Sequence, residues 1–367
     1  MATAAGLILT AIGTGLSFVS LLQSNLKSAD SGNTKITVAC GQVPDDVNDA
    51  DSISGSFDAR MYNEYGESVG APVIDKYVNR GNTAYEVTYT HDSEYSGQQT
   101  PYIKVTGNND AICIAWLTVT WADGTDWVWS GGFGRGCGIL PWHYSDAILG
   151  NIAQGDDEGS PHRPDCAWID GDGSVGGDTT AFSVYLPHFT TENDGSSGAL
   201  DGVCASPDFA TYQNDDAGGI TFWADPPAIG NTNNYDNAKK LRRDDANSTT
   251  GITAHQANAR PSQRLYTSPE KNTKLIKSAW AVHSASDLCN DDRSWGPSFV
   301  STTENKFCDM STKTLYDLCS AESTSSEDCF DAETLAVRGL KRSVSYDWKT
   351  VQNWGPEVEE ELKTVQL

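Results

Sequence analysis

The chain has 367 residues, enough for one large domain or two of moderate size, each able to bury its own core. Its 25 Lys and Arg stand against 50 Asp and Glu, a formal charge of −25, and a field of that sign repels nucleic-acid phosphates and anionic membrane surfaces. Hydrophobic residues make up 38% and charged residues 20%, with Gly, Ser, Thr, Asn and Asp abundant, a balance that predicts short strands joined by many turns.

In chain order, residues 2–22 come first and carry no charge. They are long enough to cross a bilayer as a helix. Small residues recur along this stretch, Gly6, Ala11, Gly13 and Gly15 among them, and the small-x-x-x-small spacing of Ala11 to Gly15 lets such a helix, with Phe18 and Leu22 further along it, pack against copies of itself. Three fates stay open for residues 1–26: a cleaved secretory signal, a retained membrane anchor, and a retained helix buried in an oligomer or filament. The first Lys, Lys27, follows the apolar run, whereas a secretory signal carries its positive charge in front.

Residues 27–230 read as a β-rich body. Strand candidates are Lys35–Cys40, Ser56–Tyr62, Tyr85–Thr90, Tyr102–Thr106, Ala111–Trp121 and Trp127–Ser130, then Ala181–Leu186 and Gly219–Ala224. Asp123-Gly124 supplies a hairpin turn between the fifth and sixth. Strict alternation places Cys113, Leu117, Val119 and Trp121 on one face of that fifth strand and Ile112, Ile114, Trp116, Thr118 and Thr120 on the other. Gln154–Ser160, Gly171–Asp178 and Thr190–Gly202 read as loops. Residues 231–264 read as a polar linker that carries Lys239-Lys-Leu-Arg-Arg243 and the glycosylation sequon at Asn247. Residues 265–367 read as a disulfide-rich α+β subdomain with a short helix after Ser286. The fold class expected is therefore mainly β: an antiparallel β-sandwich-like body with an N-terminal apolar helix and a cysteine-rich C-terminal subdomain.

Nine cysteines lie at 40, 113, 137, 166, 204, 289, 308, 319 and 329, without the C-x-x-C knuckles of zinc sites. Their spread predicts disulfides formed in an oxidising compartment. Nearest-neighbour pairing joins Cys113 to Cys137, Cys166 to Cys204, Cys289 to Cys308 and Cys319 to Cys329, leaving Cys40 over; the connectivity itself stays open.

Few residues point to chemistry. Asp170, Asp172, Ser174 and Asp178 resemble the start of a calcium loop, because alternate side chains on a tight turn converge on a hard cation. A plain Asp-Gly turn accounts for the same residues, since Val175 and Ala181 stand where an EF-hand loop needs Gly and Glu. No other cofactor is indicated. Trp116, Trp127, Trp129, Trp142 and Tyr144 suit either a core or a sugar-binding platform of aromatic faces. The six histidines lack metal-ligand spacing, and no nucleophile elbow, phosphate loop or dinucleotide fingerprint occurs. Asp165, Asp170 and Asp172 are the nearest approach to a glycosidase carboxylate set, and no catalytic residue is assigned. The dibasic Lys341-Arg342 is either a processing site or an exposed charged pair.

Cys113-Ile-Ala-Trp-Leu-Thr-Val-Thr-Trp-Ala-Asp-Gly124, Gly134-Arg-Gly-Cys-Gly138 with Trp142-His-Tyr-Ser145, Pro164-Asp-Cys-Ala-Trp-Ile-Asp170, and Trp295-Gly-Pro-Ser-Phe-Val-Ser301 with Phe307-Cys-Asp-Met-Ser-Thr-Lys-Thr-Leu-Tyr316, together with the uncharged Met1–Leu26 start, resemble a family of secreted proteins of filamentous ascomycete fungi that has no established activity. The resemblance implies extracellular residence and paired cysteines and carries over no catalytic residue. The expectation is a secreted or cell-surface structural or interaction protein that self-assembles through its apolar start into an oligomer or filament. The alternatives are a carbohydrate-binding or carbohydrate-active protein using the Trp cluster, and a surface protein anchored in a membrane through residues 2–22.

Overall fold

The structure, a computed structural model, describes residues 8–10, 18–21, 27–41, 55–76, 84–108, 111–154, 157–171, 179–189, 203–213, 219–223, 273–320, 328–339 and 344–356. The chain divides into two compact units, Met1–Pro141 with Ser145–Pro261 and Trp142–Tyr144 with Ser262–Leu367.

The first unit contains β1 (Ile8–Thr10), β2 (Phe18–Leu21), β3 (Thr34–Cys40), β4 (Phe57–Tyr62), β5 (Val73–Lys76), β6 (Ala84–Tyr89), β7 (Tyr102–Gly107), β8 (Ala111–Thr120), β9 (Asp126–Ser130) and helix α1 (Gly132–Cys137). After β10 (Trp142–His143), a two-residue strand of the second unit, it continues with β11 (Gly150–Gln154), β12 (Asp157–His162), β13 (Cys166–Asp170), β14 (Ala181–Tyr185) and β15 (Phe209–Tyr212). One antiparallel sheet runs β13-β8-β3-β6, with β9 taking the place beside β8 where β13 ends. A second runs β15-β14-β7-β4-β5. Both sheets feed one core: Ile36 and Val38 of β3 and Leu117 and Val119 of β8 from one, Met61 of β4, Val105 of β7 and Phe182 of β14 from the other. That arrangement is a β-sandwich, the form in which two one-faced apolar sheets hide each other.

Strict alternation fails along β8. Its pairing with β3 runs from Lys35↔Thr120 to Ala39↔Trp116, and Cys40 then faces Ile114, so one extra residue is accommodated there. A bulge of one residue reverses the parity of the strand. Ile112 and Ile114, expected on the face opposite Leu117, Val119 and Trp121, therefore join them in the core.

The apolar start is not a helix where the structure describes it. β1 and β2 form an antiparallel pair, Ile8↔Ser20 to Thr10↔Phe18, and β2 pairs in turn with β11. Ile8, Phe18 and Val19 favour strands, while Gly6, Gly13 and Gly15 each cost a helix about 1 kcal/mol relative to Ala. Gln154–Ser160, expected as a loop, is entered by β11 and β12, because a third strand in register with β2 satisfies the backbone that a loop would leave to water. Conversely, Gly219–Ala224 is not a strand over 219–223. The N–H of Thr221 donates to the Tyr212 hydroxyl at 3.1 Å and that of Trp223 to the Tyr102 hydroxyl at 2.9 Å, so side chains replace a ladder.

The second unit is built on β16 (Lys274–Ser278), α2 (Ala285–Asn290), β17 (Ser298–Ser301), β18 (Lys306–Asp309), β19 (Thr314–Leu318), β20 (Cys329–Asp331), β21 (Ala336–Arg338), β22 (Val344–Ser345) and β23 (Thr350–Trp354). They form one sheet, β22-β21-β20-β19-β18-β17-β16-β23, parallel where β16 meets β17 and β23 and where β19 meets β20. Successive residues serve opposite faces. Ile276, Phe299 and Cys308 pack with Leu288 of α2, whereas Leu275, Val300 and Phe307 pack with Phe330 and Val337. Ser284 caps α2 by accepting the N–H of Asp287 at 3.1 Å.

Four disulfides brace the units, two in each. They join Cys113 to Cys166, Cys137 to Cys204, Cys289 to Cys308 and Cys319 to Cys329. The expected pairs Cys113–Cys137 and Cys166–Cys204 do not form. The β8/β13 ladder sets Cys113 against Trp168 and so carries Cys166 alongside, which leaves Cys137, at the end of α1, to Cys204. Cys40 is a buried free thiol on β3, and burial pushes its ionisation upward, so it is inert at neutral pH.

Candidate functional site

Of the candidate ligand-binding and carboxylate residues singled out by sequence, Trp116, Trp127, Trp129, Trp142, Tyr144, Asp165 and Asp170 lie among the described residues. Trp116, Trp129, Trp142 and Tyr144 are all buried, which leaves a sugar no ring face to stack on. Trp129 instead stacks on Phe182 with ring centroids 4.6 Å apart, and Trp127 packs at 4.8 Å against Trp121. Trp142 donates its indole N–H to Asp291 at 2.9 Å, and Tyr144 stacks on His283 at 4.6 Å. Asp170 is buried at the end of β13, while Asp172, Ser174 and Asp178 lie outside the described residues. Among the described residues no group of three or more His, Cys, Asp or Glu could hold a metal ion. Asp165 is engaged by Arg135 at 3.0 Å. Phe18 lies in β2; Gly6, Ala11, Gly13, Gly15, Leu22, Asn247 and Lys341-Arg342 lie outside the described residues.

A different cluster gathers at the β4 and β14 ends of the sandwich. After β4 the chain reverses through Asn63–Glu67. The side-chain oxygen of Asn63 accepts the N–H of Tyr65 at 2.9 Å and of Glu67 at 3.1 Å, and its amide donates to Glu67 at 2.9 Å. This Asn-centred turn holds out Glu64 and Tyr65, the latter 47% exposed. Gly66, at φ +71°, is required twice over: its conformation is left-handed, and a Cβ there would stand 2.5 Å from the ring of Phe222.

From β14, across β7 from β4 in the same sheet, come Tyr185, at its end, and His188, in the 3₁₀ turn Leu186–His188. Tyr185 donates its hydroxyl to Glu64 at 2.9 Å, and burial together with that carboxylate raises its ionisation, so the phenol keeps its proton. The His188 Nδ1 lies 2.8 Å from the carboxylate of Asp208, whose side chain is 4% exposed while that of His188 is 24% exposed. The indole N–H of Trp223 donates to the same Asp208 oxygen at 2.6 Å. Ring contacts complete the array, with Tyr102 to Tyr185 at 4.7 Å, Tyr185 to His188 at 4.7 Å and His188 to Trp223 at 5.7 Å.

The array combines the exposed Tyr65 and the half-buried Trp223 with the buried rings of Tyr102 and Tyr185, the carboxylates of Glu64 and Asp208 and the partly exposed imidazole of His188. Asp208 sets the orientation of His188, and among the described residues the ring contacts of His188 are with Tyr185 and Trp223. Sequence reading missed these residues because they are scattered from 64 to 223; the only local signal is the turn Asn63-Glu-Tyr-Gly66. No protein-family model and no curated protein matches the chain.

Proposed function

We propose that the chain is an extracellular structural or interaction protein that associates with copies of itself through its uncharged N-terminal segment and performs no catalysis. The observation that supports this is the sheet β1-β2-β11-β12, in which β1 stands at one end and, among the described residues, pairs only with β2. A strand at a sheet edge carries a row of backbone donors and acceptors, and pairing with a second chain is the direct way to satisfy them. Residues 2–22 add no charge to oppose that pairing. The four disulfides are in keeping with an oxidising, extracellular setting. Among the described residues no helix is long and apolar enough to cross a membrane.

Sedimentation of the native protein tests the proposal, after its intact mass has established that residues 2–22 are present. Wild type should sediment as oligomers or filaments, and Ile8→Lys combined with Thr10→Lys should return it to monomer, since charged side chains on an edge strand obstruct pairing. A wild-type protein that keeps the segment and stays monomeric without detergent contradicts the proposal.

A further inference from the structure

We propose that self-association closes at a two-fold dimer, in which β1 pairs with β1 of a second copy and joins the four-stranded sheets of both copies into one. The inference rests on the association proposed above and fixes its geometry: which strand is met, and where growth stops.

The sheet β1-β2-β11-β12 has two ends, and they differ in chemistry. β1 is Ile8-Leu9-Thr10, with no charge and no proline. β12 reads Asp157-Glu-Gly-Ser-Pro-His162. Its register with β11 runs from Gly150↔His162 to Ile152↔Ser160 and resumes at Gln154↔Asp157, so Glu158 and Gly159 stand against Ala153 alone. Acidic side chains, a bulge and a proline are the devices that keep a sheet edge from taking another strand. The charges repel a chain that itself carries −25, the bulge breaks the even spacing of donors and acceptors, and Pro161 has no N–H to give. β12 carries all three and β1 none.

That asymmetry decides the form of the assembly. If β1 of one copy met β12 of the next, each added copy would present a fresh β1 and a filament would grow. With β12 blunted, that route is closed. A β1 edge meeting a second β1 satisfies both at once and leaves β12 at either end of the joined sheet, so growth stops at two. Two-fold symmetry sets the paired strands antiparallel, the arrangement of every pair in this sheet. It also brings residues 8 and 10 of one copy onto the same face as residues 8 and 10 of the other. β15 and β23 end other sheets without charge, and a β1 bound to either would form a heterologous contact that does not close in this way.

Sedimentation equilibrium of the full-length protein, with residues 2–22 verified by intact mass, should give twice the chain mass and nothing larger as concentration rises. Charge complementation then identifies the strands that meet. One chain carries Ile8→Lys with Thr10→Lys and another Ile8→Glu with Thr10→Glu, both keeping the wild-type circular dichroism spectrum. Each should be monomeric alone, and the mixture should dimerise, because only β1 against β1 sets the lysines beside the glutamates. Filaments from the wild type, or a mixture that stays monomeric, overturn the closed dimer while leaving self-association standing; a monomeric wild type contradicts the association itself.

Discussion

Two basic side chains, the buried His143 and the half-buried Lys313, show how far loss of water sets behaviour at the residue scale. His143 is fully buried between the carbonyls of Tyr144, 3.0 Å from Nδ1, and Pro297, 3.2 Å from Nε2. Desolvation outweighs both contacts and lowers its pKa to about 4, and burial holds His162 at about 4 as well. An unfolded histidine titrates near 6.5, so between that pH and about 4 the unfolded chain takes up protons that the folded chain refuses. The stability His143 contributes is complete above pH 6.5 and is lost as pH falls toward 4, by about 3 kcal/mol. Urea midpoints at pH 7 and pH 4 should diverge accordingly, and His143→Asn should narrow the gap. Lys313 gives the second case. Its ammonium donates to the carbonyls of Leu288 at 2.9 Å, Asp291 at 3.2 Å and Ser294 at 2.8 Å, closing the C-terminal end of α2, and burial lowers its pKa to about 8. Lys313→Met keeps the alkyl chain but removes the donor that these carbonyls share, and although Ser294 still donates to those of Leu288 and Asp291, the Ser294 carbonyl loses its ammonium partner, which should cost about 1–3 kcal/mol by chemical denaturation.

The element scale explains both the successes and the failures of reading strands from sequence. β3, β4, β6, β7, β8, β9 and β14 fall within a residue or so of their expected positions, because β-branched and aromatic runs bounded by turn residues are local signals. The parity of β8 was not legible, since a bulge is dictated by what β3, β9 and β13 must share alongside one long strand. Gly131 marks that junction: its N–H donates to the Ala115 carbonyl at 2.8 Å, and a Cβ would stand 2.4 Å from the Asp165 carbonyl and 2.5 Å from that of Ile114. Gly131→Ala should therefore force the strands apart and lower stability by about 2 kcal/mol, visible as a reduced thermal midpoint. The disulfides follow the same logic. Cys289–Cys308 and Cys319–Cys329 close short loops, spanning 19 and 10 residues, and are found by nearness in sequence. Cys113–Cys166 spans 53 residues and is found only once β8 and β13 are paired. Replacing both Cys113 and Cys166 by Ala should destabilise the first unit by about 4 kcal/mol.

For the whole molecule, charge and association oppose each other. A formal charge of −25 makes copies repel, and at low ionic strength that repulsion reaches roughly 30 Å, against roughly 8 Å at physiological salt. Self-association through the N-terminal segment should accordingly strengthen as sodium chloride is raised from 10 to about 150 mM, and sedimentation should show the shift; salt-independent association would point to a contact without charge around it.

The sequence alone determined the β-rich class, the acidity and the bridged cysteines, each of which rests on residue type or on spacing within a few positions, while the short helix expected after Ser286 begins at Ala285 because Ser284 supplies the cap. Tertiary structure decided which tryptophans are core, which cysteines meet at long range, that the apolar start pairs as strands, and that Glu64, Tyr65, His188, Asp208 and Trp223 gather at one end of the sandwich. The physical reason is that a strand's neighbours in a sheet are set by burial across the whole chain. Gly66 and Phe222 therefore become neighbours through strand pairings that neither segment encodes by itself.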